Sequence, residues 1–321
     1  MGRILALCGG VGGAKLAWGL AQVLSPDELT IVVNTGDDME YVDLPVWPDI
    51  DTVLYTLAGL NDRKRGWGRA EETWGVMGEL ERLSGAHWFQ LGDKDIALHL
   101  LRRELLSQGL SPSAVVRVLA QRLGVSHPIL PMADTPVRTI VCTEEGNLPF
   151  QTYFVARRCV PRVTGLQFAG AEHAELPREL LQAFTDTALG GVILCPSNPL
   201  VSIGPMLAIS RFRALLRDTS VPVIAVSPIV DGKAIKGPAA KMMRELQMGS
   251  SALDAVRCYQ GLLDAAVLDL QDSALGGSRR EGDPALYFRH TVMTTDEDRR
   301  QLAQACIDII RALGSDGAVS G

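Results

Sequence analysis

The sequence predicts an α/β fold: a Rossmann-like, doubly wound and mostly parallel sheet that carries a helical and β-hairpin insertion. Two observations predict it. The chain opens with a strand, a glycine loop, a helix and a second strand over 3–34. Apolar runs without alternation then return at "GGVILCPS" (190–197), "VPVIAVSP" (221–228) and "AAVLDL" (265–270). Strands buried on both faces of a parallel sheet have this composition, and helical stretches separate them.

In chain order, "RILALC" (3–8) is an apolar run stopped by glycines and reads as the first strand. "AKLAWGLAQVL" (14–24) has apolar residues at helical spacing, and "LTIVVN" (29–34) is the second strand. The crossover between them should be right-handed. Helices are expected over 49–60, 70–84, 95–108 and 112–123, followed by two strands around a Glu-Gly turn over 137–157. Further helices fall at 203–217, 238–263 and 296–313. The expected organisation is a core of 1–60 and 190–313, an insertion of 61–189 and a flexible tail of 314–321.

Composition narrows the function. A chain of 321 residues with 47% hydrophobic and 21% charged residues suits a large globular domain. Its net charge of −6 gives no global basic field for nucleic acid. Six scattered cysteines form no CxxC pair and read as free thiols. Five histidines show no HExxH-like spacing. Lys15 and the glycines interrupt the apolar N-terminus, unlike a signal sequence, so a cytoplasmic location is expected.

The stretch "CGGVGGAKLAWGL" (8–20) fails two phosphate-binding patterns. Counted from Gly10, the dinucleotide fingerprint meets Gly12 and then Lys15 where its last glycine belongs. The P-loop needs Lys followed by Ser or Thr, and Leu16 follows Lys15. The physics survives both failures. Glycines after a strand let backbone approach a ligand, and the next helix offers free N–H groups to an anion.

Ligands of open α/β sheets bind beyond the carboxyl ends of the strands. There lie "NTGDD" (34–38) and "PDIDT" (48–52), with Asp37, Asp38, Asp49 and Asp51. Such carboxylates hold magnesium beside a phosphate loop, or cap the helix that follows. "PSNPLVSIGP" (196–205) supplies Ser197, Asn198 and Ser202, and "SPIVDGKAIKGPAAK" (227–241) supplies Lys233, Lys236 and Lys241. In "LGDKDIALHLLRR" (91–103), Asp95 is expected to cap a helix starting at Ile96, with Asp93 and Lys94 at its mouth. His99 reads as structural. Trp67 and Trp74 suit either packing or stacking on a flat ring.

Taken in order, these segments resemble the 2-phospho-L-lactate transferases of coenzyme F420 biosynthesis. "GGVGGAK", "NTGDD", "PDIDTVLYTLAGL", "LGDKDIALHL", "LPMADTPVRT", "PSNPLVSIGP" and "SPIVDGKAIKGPAAK" carry the resemblance, from residue 4 to about 300. It implies a magnesium-dependent enzyme, often a homodimer, acting on two small molecules. The donor is a guanosine diphosphate ester of a small carboxylic acid, which delivers a phospholactyl, phosphoenolpyruvyl or phosphoglyceryl group. The acceptor is the ribityl hydroxyl of the deazaflavin Fo, and GMP leaves. Gly10, Gly12 and Gly13 would cradle the diphosphate, with Lys15 and Lys236 as local positive charge. Ser197, Asn198 and Ser202 would hold the nucleotide. Asp37, Asp38 and Asp51 would carry magnesium, with Asp38 and Asp51 catalytic. Asp51, Lys94 and Trp67 would meet Fo, which places the acceptor site partly in the insertion. "EYVDLPVW" (40–47) departs from the family's usual sequence. The alternative is a nucleotide-sugar-binding regulator of the gluconeogenesis-factor group, against which "PSNP" and "LGDKD" argue. Lys15 argues against a nicotinamide-dependent dehydrogenase.

Overall fold

A computed structural model describes residues 2–235 and 237–317. Lys236 and the tail positions 318–321 lie outside the described residues. Seven parallel strands form the central sheet. From one edge they run Ile129–Pro131, Leu29–Val33, Arg3–Cys8, Leu189–Leu194, Val223–Val226, Ala265–Asp269 and Ala285–Arg289. The order turns back at Arg3–Cys8, whose neighbours are the second strand on one side and Leu189–Leu194 on the other. That is the doubly wound arrangement, and its switch point lies between these two central strands.

Alternation within the first strand explains how both faces are covered. Ile4, Ala6 and Cys8 join one apolar cluster with Leu16 and Leu20 of the helix Gly10–Val23, Ile50 and Leu54 of the helix Pro48–Leu57, and Cys306 and Ile310 of the last helix. Leu5 and Leu7 join the opposite cluster with Leu180, Phe212 and Leu216. Among the described residues no helix is long and apolar enough to cross a membrane.

Several elements depart from expectation. The first helix begins at Gly10 rather than Ala14, so the glycines are its first turn and not a loop before it. Ile129–Pro131 falls inside the expected insertion yet pairs with Leu29–Val33 at the sheet edge. Three residues ending in Pro131 are too short to read as a strand, and proline is tolerated there because the edge needs no partner. Ala285–Arg289 adds the other edge. The hairpin Arg138–Thr143 and Gly146–Pro149 gains a third strand, Val163–Ala169. The helix expected over 238–263 is two helices, Ala239–Glu245 and Ala252–Arg257, the second started by a Ser251–Asp254 capping box. Likewise 203–217 divides into Gly204–Ala208 and Ser210–Asp218. The last helix runs Asp296–Gly317, past residue 314 where the tail was expected. A Cβ at Gly314 would meet nothing, so no contact there stops it.

Gly19 shows how closely the first and last helices pack. A Cβ there would lie 2.2 Å from the Arg299 carbonyl oxygen and 2.7 Å from its carbon. Alanine ordinarily favours a helix interior by about 1 kcal/mol. Forcing backbone apart costs about 1–3 kcal/mol and should win. Gly19→Ala is therefore expected to lower the urea midpoint; a midpoint at or above that of the parent protein would contradict this packing.

Candidate active site

The site begins where the first strand ends. Gly10 adopts φ 64°, a left-handed conformation that glycine enters without strain. Two residues on, a Cβ at Gly12 would sit 2.5 Å from the Pro196 carbonyl oxygen. The glycine turn thus lies directly against the loop after Leu189–Leu194. Ser197 Oγ accepts a hydrogen bond from the Gly9 N–H at 3.0 Å and closes this crossing. The first helix has no side-chain cap and no acidic residue in its first turn. Its partly exposed Gly10, Val11 and Gly12 mark a positive helix end at the switch point.

The helix Pro48–Leu57 joins two sides of the site. Asp49 and Asp51 are two positions apart, about 200° around the axis, and so face apart. Asp49 Oδ1 accepts from the Gly10 N–H at 2.7 Å, and its Oδ2 accepts from Asn34 Nδ2 at 2.9 Å. The same Asn34 amide donates to Asp37 Oδ1 at 2.8 Å. Asp51 instead pairs with Arg102, a fully buried side chain on the helix Asp93–Ser107. The Arg102 guanidinium lies 4.5 Å from the Trp47 ring centroid and donates to the Pro45 carbonyl at 2.8 Å. It also meets His99 Nδ1 at 2.9 Å. One turn after Asp51, the Tyr55 hydroxyl donates to Asp95 Oδ1 at 2.5 Å.

Burial governs the electrostatics. It pushes the carboxyls of Asp37 and Asp38 well above the usual range and that of Asp49 up to about 6. Asp51 is also raised by burial, against the opposing pull of Arg102. Arg138 and Arg102 counter Asp38. Asp38 Oδ1, Asp51 Oδ2, Thr35 Oγ1, Thr139 Oγ1 and His99 Nε2 are buried without a hydrogen-bond partner. Groups left this way are costly unless a ligand or solvent meets them. Among the described residues, no three His, Cys, Asp or Glu side chains gather as a metal site. Asp37, Asp38 and Asp51 are therefore not a closed three-carboxylate cage: Asn34 ties Asp37 to the glycine side, while Asp38 and Asp51 keep one unpartnered oxygen each.

The remaining expected residues divide. Ser202 is buried against the glycine turn, its Cβ 2.7 Å from where a Gly9 Cβ would stand. Asn198 spends Oδ1 on the Leu200 N–H, which folds its own loop. Lys15 reaches out to the Met293 carbonyl at 2.7 Å. Lys94 is half-exposed, its Nζ 4.0 Å from Glu71 Oε2. Trp67 stands edge-on to Trp74 at 6.4 Å, and the Arg65 guanidinium lies 4.9 Å and 4.7 Å from the two rings. Asp95 does not cap its helix, which starts at Asp93 after Gly92; it sits in the first turn and receives Tyr55. Lys233 and Lys241 separate, the first pairing with Asp231 and the second with Glu245. Lys236 lies outside the described residues. Asn34 lay inside a quoted motif without an assigned role, and Asp49, expected to hold a metal or cap its helix, instead binds the Gly10 N–H and Asn34. Tyr55 and Arg102 had no signal, since a tyrosine or arginine on a mixed helix face looks ordinary until its partner is placed. A cavity of about 680 Å³ opens at the opposite edge, lined by Arg3, Thr30 and Ile129 at the amino ends of their strands.

Asp95 supports a pH prediction. Burial pushes its carboxyl up to about 6 from 3.8, despite the Tyr55 hydrogen bond. The folded state then holds a proton that the unfolded state releases, so this group's contribution to stability is present below about pH 4 and is lost as pH rises through 6. Asp95→Asn keeps the acceptor for Tyr55 and removes the charge. The variant should gain up to about 3 kcal/mol at pH 7.5 and show no gain at pH 3.5. Chemical denaturation at both pH values checks this; an equal gain at both would rule out the buried charge as its cause.

Comparisons with known proteins place the chain. Residues 4–310 match the family described as 2-phospho-L-lactate transferase CofD. A relative from Methanosarcina mazei, named 2-phospho-L-lactate transferase, is 34% identical over 95% of this chain and 99% of its own. A Streptomyces griseus relative, named phosphoenolpyruvate transferase, is 38% identical over 84% of this chain and 86% of its own. The fold also matches a crystal structure of a UPF0052 family member from Bacillus halodurans, with a TM-score of 0.62 and 14% identity over 96% of this chain and 99% of that one. With the match spanning both the glycine turn and the acidic loops, the chain belongs to the 2-phospho-L-lactate transferase CofD family of enzymes.

Proposed function

We propose that this enzyme moves a phospho-acid group from its guanosine diphosphate ester to the ribityl hydroxyl of Fo in coenzyme F420 biosynthesis. The observation that carries this reading is the pairing of two half-sites by one helix. Asp49 faces a helix N-terminus suited to a diphosphate, and Asp51 faces the insertion. Gly10, Gly12 and Gly13 cradle the diphosphate, and Ser197, Asn198 and Ser202 line the nucleotide side. Lys94 and Trp67 lie toward the acceptor. The family membership and the names of the relatives support the same class of reaction.

In the proposed reaction the acceptor hydroxyl oxygen attacks the phosphorus that bears the acid. The bond from that phosphorus to the oxygen bridging to GMP breaks, and GMP leaves with the bridging oxygen. Transfer of this kind asks a protein mainly for positioning and charge neutralisation. Asp51 orients the hydroxyl, and the released proton passes to a carboxylate or to solvent. Carboxylate oxygen is the donor that magnesium prefers, often one or two carboxylates with substrate phosphates. Asp38 Oδ1 and Asp51 Oδ2 are buried without a hydrogen bond, which fits that donor set, and we assign both to a magnesium ion. When bound, the ion would neutralise phosphate charge.

Two measurements follow. Purified protein, Fo and magnesium with each of the three guanylylated donors in turn should release GMP with at least one. No release from any donor would defeat the transferase reading. Gly12→Ala would press a methyl group against the Pro196 carbonyl at the diphosphate seat. It should weaken donor binding at least about tenfold while changing Fo binding less than about twofold; equal losses of both would indicate a general collapse instead.

A further inference from the structure

We propose that Arg102 positions the Asp51 carboxylate toward the acceptor hydroxyl, an inference that rests on the reading of Asp51 given above. Arg102 is completely buried, and its guanidinium is held from four directions. It donates to Asp51 Oδ1 and to the Pro45 carbonyl, meets His99 Nδ1, and lies against the Trp47 ring. Trp47 directly precedes the helix that carries Asp51, and Pro45 belongs to the hairpin Met39–Tyr41 and Leu44–Val46 just before it. Arg102 itself rides on the helix that carries Lys94 and Asp95. One planar group therefore joins the donor-side helix to the acceptor-side helix.

The consequence for Asp51 is directional. With Oδ1 taken by the guanidinium, rotation of the carboxylate is restricted, and Oδ2 is left without a hydrogen bond, His99 Nδ1 standing 3.8 Å away. A point charge would not restrict it in this way. Arginine presents a rigid planar fork and stacks on aromatic rings, whereas lysine offers a mobile ammonium. Stability alone is a weak reason to keep such a pair, because buried ion pairs are commonly matched or exceeded by well-packed apolar residues. The stretch "EYVDLPVW" supplies both Pro45 and Trp47, and so builds the seat of this arginine.

The test is a double-mutant cycle on turnover, using Arg102→Lys, Arg102→Met, Asp51→Asn and the paired variants, each checked for folding by near-UV circular dichroism. Arg102→Lys keeps the charge and most of the aliphatic stem but loses the planar fork, so it serves if Arg102→Met does not fold. Either arginine variant should lower kcat at least about tenfold with the donor KM within about twofold. In the Asp51→Asn background the same arginine change should lower kcat by less than about twofold further, because its effect acts through Asp51. Losses that multiply in the paired variants, or a folded Arg102→Lys enzyme with unchanged kcat, would overturn the inference. Normal turnover in Asp51→Asn alone would instead overturn the underlying reading of the site.

Discussion

The site depends on an approach of two backbones that leaves no room for a side chain. Gly12 passes so close to the Pro196 carbonyl that a single Cβ would collide with it. That contact brings the loops after the first strand and after Leu189–Leu194 together at the switch point of the sheet. Ser197 can then reach the Gly9 N–H. It also opens the first helix toward the crevice, its first N–H held by the Asp49 carboxylate and no side-chain cap supplied by Gly9. Asp49, Asn34 and Asp37 assemble around that helix end in a hydrogen-bonded row. The second helix carries the arrangement across to Arg102 and the insertion.

Around this crossing the protein retains groups that ordinary packing would remove. Four buried aspartates lie within fifteen positions, all with carboxyls raised by burial. Unpaired burial of a charge costs several kcal/mol, by about the same reasoning that makes isolated buried ions rare. Arg102 and Arg138 offset part of this at Asp38 and Asp51. Proteins break packing rules where function requires it, and Asp49, one of these four, meets the Gly10 N–H at a phosphate-suited helix end.

Much of this was legible in the sequence, for identifiable reasons. The switch-point strands were readable because double burial makes them uniformly apolar, as in Arg3–Cys8 and Leu189–Leu194. The glycine turn announced a close approach, although its inclusion in the helix was not visible, since glycine disfavours helix on propensity and the packing at Pro196 overrides that. The edge strands Ile129–Pro131 and Ala285–Arg289 were missed because one is too short and the other is only half-buried. Asp37, Asp38 and Asp51 were singled out by proximity in sequence, which says nothing of orientation. The opposite facings of Asp49 and Asp51 follow only once the helix is known to start at Pro48. Arg102 lies fifty-one positions from Asp51, and no local pattern connects them.

The central claim is that the diphosphate of a guanylylated donor sits at the glycine turn beside Ser197. Titration of ¹⁵N-labelled protein with GDP and magnesium, followed by amide chemical shifts, tests it without requiring turnover. The largest shifts should fall on Gly10, Val11, Gly12, Gly13 and Ser197. Shifts confined to the opposite edge, around Arg3, Thr30 and Ile129, with the glycine turn unmoved, would contradict it.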